Sequence, residues 1–294
     1  RQILMKNYDV IIIGGGPSGL VASKLLVAFG KSVAIVESNK LGGDCTHTGC
    51  IPSKTLLKAA QAVYDAKNLD KYGIKTNTLE LDTSKVLKHV KNIVDTIYSH
   101  ETPEIFKSAG VDVIEGFASF ENSNIIAVNN ELYKAKNFII ATGSTPNIPN
   151  INGIEDIEYL TNENIFNQKN IPKSMIIVGT GVIAIEMATA FNRLGCQITI
   201  VSRSSGILKG NDEELSCILL EQLKSEGITF VQDVEFKTIS QNKNIKLTVV
   251  KDEKEEIIKA STILFATGRR ANTDISLDKA GVKSDKTGII VNAY

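Results

Sequence analysis

Two cysteines stand four residues apart in the run Gly42-Gly43-Asp44-Cys45-Thr46-His47-Thr48-Gly49-Cys50-Ile51-Pro52-Ser53-Lys54, directly ahead of a segment with helical periodicity, Thr55 to Val63. Pro52 suits the first turn of that helix. Cys50 then lies at a helix N-terminus, where free N–H groups and the positive dipole end favour thiolate over thiol and confer nucleophilic character. Glycines on both sides of the pair let the chain fold back until the Cα atoms come within the ~4.4–6.8 Å that a disulfide requires, so a redox couple is geometrically feasible. Two other readings stand beside it: unconnected small core residues, or a metal site with His47 as third ligand. Zinc spacing calls for a second, distant pair, which is absent, so no metal is expected. His47 itself reads as a polar loop residue rather than a proton carrier.

A second kind of chemistry is written in glycine. The apolar run Tyr8 to Ile13 ends in Gly14-Gly15-Gly16-Pro17-Ser18-Gly19, a helical stretch runs from Leu20 to Phe29 with Gly30 as its stop, and the apolar run Ser32 to Val36 closes on Glu37, 23 residues beyond Gly14. That is strand, glycine turn, helix and strand. The pattern returns at Met175 to Val178, Gly179-Thr180-Gly181-Val182-Ile183-Ala184, a helix through Glu186 to Leu194 and the strand Gln197 to Val201, with Ser202 again 23 residues after the first glycine. In such a turn the first glycine permits the tight bend, the second admits a pyrophosphate and the third lets helix and strand pack closely. The helix N-terminus then faces the phosphates. One Gly-x-Gly-x-x-Gly is weak evidence, and two in matching register are much stronger.

The elements that must position these residues repeat as well. Phe138 to Ala141 runs into Thr142-Gly143, and Ile263 to Ala266 runs into Thr267-Gly268, so each half ends on an apolar strand and Thr-Gly. Between them the Pro/Asn/Gly-rich passage Ser144 to Gly153 is turn chemistry and places a boundary near residue 148. Leu79 to Ser108 reads as one long scaffold helix with a prolyl interruption at Pro103. Lys246 to Val250 and Glu256 to Ile258 flank a charged turn and read as a hairpin whose charges are solvated surface.

Composition narrows the function classes. With 294 residues, 43% hydrophobic and 22% charged, the chain is globular and long enough for two domains. Thirty-three basic residues balance 33 acidic ones, which offers no general attraction for nucleic acid or anionic lipid. Four cysteines are too sparse for a secreted disulfide scaffold and point to a reducing, cytoplasmic setting. The residues before the first strand contain no apolar h-region, and no apolar run approaches the ~20 residues of a membrane span. Only five of the basic residues are arginine, Arg1, Arg193, Arg203, Arg269 and Arg270, so each marks a place where the planar guanidinium fork suits the geometry. The chain begins with Arg and ends on a strand-like Gly288 to Tyr294, as an excerpt of a longer protein would.

With the first dinucleotide turn, the Gly-Gly-x-Cys-x4-Cys-x-Pro-Ser-Lys run, the second turn and both Ala-Thr-Gly ends in this order, the chain resembles the class I pyridine nucleotide-disulfide oxidoreductases over nearly its whole length. That family takes in dihydrolipoamide dehydrogenase, glutathione reductase and mercuric reductase. The resemblance implies an α/β fold of two Rossmann-like domains, the second inserted in the first, each with a central parallel sheet and an antiparallel β-meander. Residues 1–148 would bind FAD and carry the redox disulfide, 149–270 would be the inserted NAD(P)H domain, and 271–294 would begin the return to the FAD domain. It further implies that hydride passes from nucleotide to flavin and electrons then reach a Cys45–Cys50 disulfide. Cys50 would be the flavin-proximal charge-transfer thiolate and Cys45 the interchange thiol that attacks a small-molecule disulfide. Lys54 would sit by the flavin and pair with Glu186, whose bland alternative is an exposed helix carboxylate. Glu37 would bond the adenosine ribose, and Gly14, Gly16, Pro17, Ser18 and Gly19 would admit the pyrophosphate. Gly43, Asp44, Phe117, Ala118, Thr142, Gly143, Gly268 and Arg269 match positions near the cofactors, and Gly179, Gly181, Val182 and Ile183 form the second turn.

Where the NAD-type pattern ends its second strand in Asp or Glu, this chain has Ser202-Arg203, so no carboxylate repels a 2′-phosphate. Arg203 and Lys209 fall where NADP-using relatives carry cations, and Ala184 replaces the third glycine as it does there. NADPH is therefore expected over NADH. Two positions depart from the family pattern: Asp44 stands where most relatives have Thr, and Ala271 replaces a Pro. A carboxylate at Asp44 would be repelled by FAD phosphates unless turned away or paired. The family's later Gly-Asp motif and its dimerisation domain, with the His-Glu pair that a homodimer shares, are expected beyond Tyr294. The rival readings are an acceptor such as a mercuric ion, quinone or oxygen, and a nucleotide-binding module whose cysteines do no chemistry.

Overall fold

The computed structural model describes residues 5–75 and 79–293, so the first four residues, and Tyr294 at the end of the strand-like terminus, lie outside the described residues. Contacts divide the chain into two units, one formed by the described residues of Arg1–His47, Val94–Thr145 and Arg269–Tyr294, the other by those of Thr48–Ile93 and Pro146–Gly268.

In the first unit, β1 (Lys6–Ile13), β2 (Val33–Glu37), β3 (Val111–Glu115), β4 (Ala118–Asn122), β5 (Ile125–Val128) and β6 (Glu131–Ile140) form one sheet in the order β3-β2-β1-β6-β5-β4. Its β3-β2-β1-β6 part is parallel, and β4, β5 and β6 make an antiparallel meander. Along β1, Ile11 and Ile13 enter one core while Val10 and Ile12 enter another, which is why the strand is apolar without alternation. Helix α1 (Pro17–Ala28) follows β1 with Pro17 in its first turn, and a short helix α2 (Gly43–His47) follows β2.

The second unit repeats the plan. Strands β8 (Ser174–Val178), β9 (Gln197–Val201), β10 (Thr229–Val231) and β14 (Thr262–Phe265) form a parallel sheet in the order β10-β9-β8-β14. Strands β11 (Glu235–Gln241), β12 (Ile245–Lys251) and β13 (Lys254–Ala260) form the meander. The charged hairpin turn joins β12 to β13 through Asp252 and Glu253, both at positive φ, 48° and 63°, as a two-residue turn between twisted strands requires. Met175 and Ile177 face a core shared with the helices, and Ile176 and Val178 face the core under the meander. Between the sheets in sequence lie the short strands β7 (Ser144–Pro146) and β15 (Arg269–Ala271), which pair with each other. A last pair, β16 (Ser284–Asp285) and β17 (Gly288–Ile289), closes the described chain.

One expectation changes. The helix read over Leu79 to Ser108 is two helices, α4 (Thr83–Tyr98) and α5 (Pro103–Ser108). Asp82 sets the start of α4, its Oδ1 accepting from the backbone N–H groups of Ser84 and Lys85, and Pro103 opens a new helix rather than interrupting the old one. The crossings at 145/146 and 268/269 are joined by two more, at 47/48 and 93/94, so that α3 (Cys50–Lys67) belongs to the second unit. The cause is packing: Leu56, Ala60 and Val63 of α3 share a core with Ala184, Ala188 and Phe191 of α6 (Val182–Arg193). The remaining helix, α7 (Glu213–Ser225), is capped by the Asp212 side chain.

Candidate active site

Both glycine turns share the same backbone hydrogen bonds at the carboxyl ends of β1 and β8. Gly14 N–H donates to Val36 O at 2.8 Å and Ala141 N–H to Ile13 O at 2.8 Å; Gly179 N–H donates to Val201 O at 3.0 Å and Ala266 N–H to Val178 O at 2.9 Å. Gly14 has φ +109° and an added Cβ would lie 2.2 Å from Ala141 O; Gly179 has φ +121° and its Cβ would lie 2.3 Å from Ala266 O. The Ala-Thr-Gly strand end therefore fills the space that the first glycine leaves. The second glycines behave differently. Gly16 and Gly181 cap α1 and α6 with φ −74° and −77°, ordinary for any residue, and a Cβ there would meet nothing within 4 Å. What glycine preserves at these positions is open space over a helix N-terminus, the cradle a pyrophosphate needs. Gly19 would place its Cβ 2.0 Å from Gly14 O, whereas Ala184 at the matching place is fully buried.

Around the first turn, Glu37 accepts from Gly15 N–H at 2.7 Å through Oε2 and from Asn39 N–H at 2.8 Å through Oε1. Gly43, at φ +55°, brings α2 so close that its Cβ would lie 2.8 Å from Gly16 Cα. Phe117 is largely exposed between β3 and β4, while Ala118 is buried at the start of β4. Arg269 donates through Nε to Ser144 Oγ at 2.7 Å, and through Nη2 to the Ser144 carbonyl and to Asp44 Oδ2. Asp44, the position at odds with an anionic ligand, is thus paired with a cation.

Neither Cys45 nor Cys50 is in a disulfide; Cys45 lies in α2 and is half-buried, Cys50 is the exposed first residue of α3. Cys217 is exposed on α7, and Cys196 is buried, which pushes its thiol up to about 12. On α3 and α6, Lys54 Nζ donates to Glu186 Oε1 at 2.5 Å, and Glu186 is 27% exposed, so it is not a free surface carboxylate. In the loop after β9, Ser202 is buried with its hydroxyl donating to Ser204 O at 2.6 Å, and Arg203 and Lys209 are exposed. Val182 and Ile183 open α6, with Val182 largely exposed. Among the described residues no cluster of His, Cys, Asp and Glu suits a metal ion, and no helix is long and apolar enough to cross a membrane.

Asn147, Asn272 and Glu101, which hold residues named from the sequence, escaped the sequence reading. Thr142 Oγ1 donates to Asn272 O at 2.6 Å and Asn272 Nδ2 donates to Thr142 O at 2.9 Å, while Thr267 Oγ1 donates to Asn147 O at 2.5 Å. The signal was present, because Ala-Thr-Gly-x3-Asn occurs at both 141–147 and 266–272. The cysteine loop is held by residues with no such signal. Thr46 Oγ1 donates to Glu101 Oε2 at 2.7 Å, His47 Nε2 lies 2.8 Å from Leu41 O, and the His47 ring meets Tyr98 edge-on at 5.0 Å. The carbonyl can only accept, so His47 Nε2 is the donor in this contact at the end of α2.

The described chain thus carries two glycine turns at helix N-termini on parallel sheets, with a pair of cysteines following the first. The profile of the pyridine nucleotide-disulphide oxidoreductase family matches residues 8–294, and the chain belongs to that family. It is 36% identical to a dihydrolipoyl dehydrogenase of Acholeplasma laidlawii, over 99% of this chain and 87% of the relative. It is 33% identical to a mercuric reductase of Lysinibacillus sphaericus, over 98% of this chain and 53% of the relative. Among solved structures, the Cu(II) complex of the HOCl-induced flavoprotein disulfide reductase RclA from Escherichia coli has the same fold, with a TM-score of 0.83 at 24% identity over 98% of this chain and 63% of that one. The chain thus spans about half the length of such a mercuric reductase.

Proposed function

We propose that this chain is the FAD- and nucleotide-binding part of a flavoprotein that carries electrons from NADPH to a Cys45–Cys50 disulfide and on to a small disulfide substrate. The observation that carries the reading is the twice-built turn, each with an open second glycine over a helix N-terminus, in a chain whose first turn is followed by a dithiol loop. The chemistry that FAD supplies when bound is acceptance of an electron pair from a nicotinamide and its release to a disulfide.

The residues of this chain do the rest. Gly14, Gly16, Pro17, Ser18 and Gly19 admit the flavin pyrophosphate at the N-terminus of α1. Glu37 uses one acceptor site on each oxygen within the protein, leaving others for ribose hydroxyls. Gly43, Phe117, Ala118, Thr142 and Gly143 line the same cofactor, and Arg269, held by Asp44, is oriented beside it. The pair Asp44–Arg269 carries no net charge, which removes the repulsion a lone carboxylate would exert on phosphate. Gly179, Gly181, Val182 and Ile183 receive the nicotinamide nucleotide near Gly268, with Arg203 and Lys209 reading the 2′-phosphate. Lys54, tied to Glu186, stands one turn along α3 from Cys50 and sits by the flavin. Two electrons break the Cys45–Cys50 bond; Cys45 then attacks the external disulfide, and Cys50 displaces the mixed disulfide, so that two substrate thiols leave and the internal bond reforms.

Titrating thiols in the whole protein with and without NADPH tests the reading: two new thiols per flavin are expected. Oxidation of NADPH with an unchanged thiol count would instead assign direct transfer to oxygen or quinone. The likeness to proteins named mercuric reductase supports a second acceptor, a mercuric ion bound by the reduced cysteines. A homodimer in a reducing cytoplasm completes the reading, supported by the family and by the sparse cysteines.

A further inference from the structure

The loop that follows β9 is fastened to the second glycine turn. Leu208 N–H donates at 2.9 Å to the carbonyl of Thr180, which lies between Gly179 and Gly181, so Lys209 is one residue away from a direct bond to the turn. Leu208 has φ +52°, a conformation that a residue with a side chain keeps only where its surroundings impose it. Here Ile207 is buried and Leu208 packs beside it, both on the core that holds Ala184 and Ala188 of α6. Asn211 closes the bend, its N–H and its Nδ2 donating to Leu208 O at 3.0 and 2.9 Å. Burial and backbone bonds therefore set the place of Lys209.

Arg203 is held in another way. Its segment, 203–206, hangs between two fixed points, Ile207 at one end and Ser202 at the other. Ser202 is buried, its N–H donates to Val231 O at 3.1 Å, and its carbonyl accepts from Val234 N–H at 3.3 Å. Two side chains pin what lies between. Ser202 Oγ donates to Ser204 O at 2.6 Å, and Gln232, the residue after β10, donates through Nε2 to Gly206 O at 2.8 Å. Gly206, at φ +73°, turns the chain where a side chain would strain it. Among the described residues, no hydrogen bond or ion pair within the protein engages the Arg203 or Lys209 side chain, so both cations can meet an anion.

We propose that Gln232 is a positioning residue for the choice between the two nicotinamide nucleotides. By holding Gly206 it fixes the backbone of 203–206 and presents Arg203, together with Lys209, to a 2′-phosphate beside the second turn. Without that bond the segment takes many conformations, and Arg203 must be ordered at the moment the phosphate binds, which weakens this contact and no other part of the nucleotide's binding. The proposal rests on the reading of the second turn as an NADPH site.

The test is calorimetric titration of the whole, FAD-loaded, oxidised protein with NADP⁺ and with NAD⁺, which differ only in the 2′-phosphate. The unaltered protein is expected to bind NADP⁺ more tightly. Gln232→Met keeps the length of the side chain and removes its donor; it should weaken NADP⁺ about threefold, the scale of one exposed charge contact, and leave NAD⁺ unmoved. In an Arg203→Ala background the same change should have no effect on NADP⁺, because Gln232 acts through Arg203. A merely structural role would weaken both nucleotides alike, with or without Arg203. Equal loss on both, no loss on NADP⁺, or the full loss in the Arg203→Ala background overturns the proposal and leaves the NADPH reading standing. No preference for NADP⁺ in the unaltered protein refutes the NADPH reading, and the proposal with it.

Discussion

Replacing Gly181 by alanine separates what a nucleotide turn does for folding from what it does for its ligand. At φ −77° and ψ −179° the backbone suits any residue, and the new methyl meets nothing within 4 Å. The smaller entropy of the unfolded chain favours the variant by ~0.4–1 kcal/mol, while losing glycine at the N-cap of α6 costs a comparable amount, so the melting temperature should stay within roughly 4 °C of the unaltered protein's. The same methyl stands over the N-terminus of α6, where the pyrophosphate must approach the backbone. Overpacking of this kind costs ~1–3 kcal/mol, which weakens NADPH binding about 5- to 150-fold. Gly179→Ala is the contrast: at φ +121°, with its Cβ 2.3 Å from Ala266 O, it should lose roughly 3 kcal/mol or more of stability. Thermal melts without nucleotide, and the NADPH concentration dependence of flavin reduction, measure both quantities. Gly181→Ala with unchanged NADPH affinity, or with a melting point shifted beyond that window, would refute the reasoning.

Cys50→Ser is expected to abolish disulfide reduction while leaving flavin reduction by NADPH largely intact, since hydride transfer precedes the sulfur chemistry; stopped-flow absorbance checks this, and equal loss of both would contradict the order. Arg203→Ala should lower the kcat/KM ratio of NADPH over NADH about tenfold or more, the worth of a charge-assisted bond to phosphate, and a ratio favouring NADH in the unaltered protein would retire the assignment. Glu226 is held below the usual carboxylate range by the hydrogen bonds from Arg193, against the opposing effect of burial. Its contribution to stability is therefore complete above the unfolded value, about 4.3, and fades as pH falls through the lower folded value. The gap in urea midpoint between the unaltered protein and Glu226→Gln should be full at pH 6 and much reduced at pH 3, and a gap of equal size at both would be evidence against the pairing.

Much of this protein is legible in its residues because its main features are local. Buried parallel strands are apolar runs, a turn over a helix N-terminus needs glycine within a few residues, and Cys50 meets a helix start because Pro52 lies two positions on. Even the pair Asn147 and Asn272 left a trace in the repeated Ala-Thr-Gly-x3-Asn. Other features were decided only by contacts between residues far apart in sequence. The Asp44 carboxylate looked unfavourable until Arg269, 225 residues away, was found donating to it. Helix α3 joined the second unit because alanines on α6 let it pack closely, and no periodicity within Cys50 to Lys67 announces which neighbour will do so. Arg193 could be singled out from composition as one of five arginines, but its partners Gln61 and Tyr64 on α3 and Glu226 just past α7 converge only when the chain is folded. Spacing along a chain records which groups share a turn or a face; which faces meet depends on shape complementarity summed over whole elements, and that sum exists only in three dimensions.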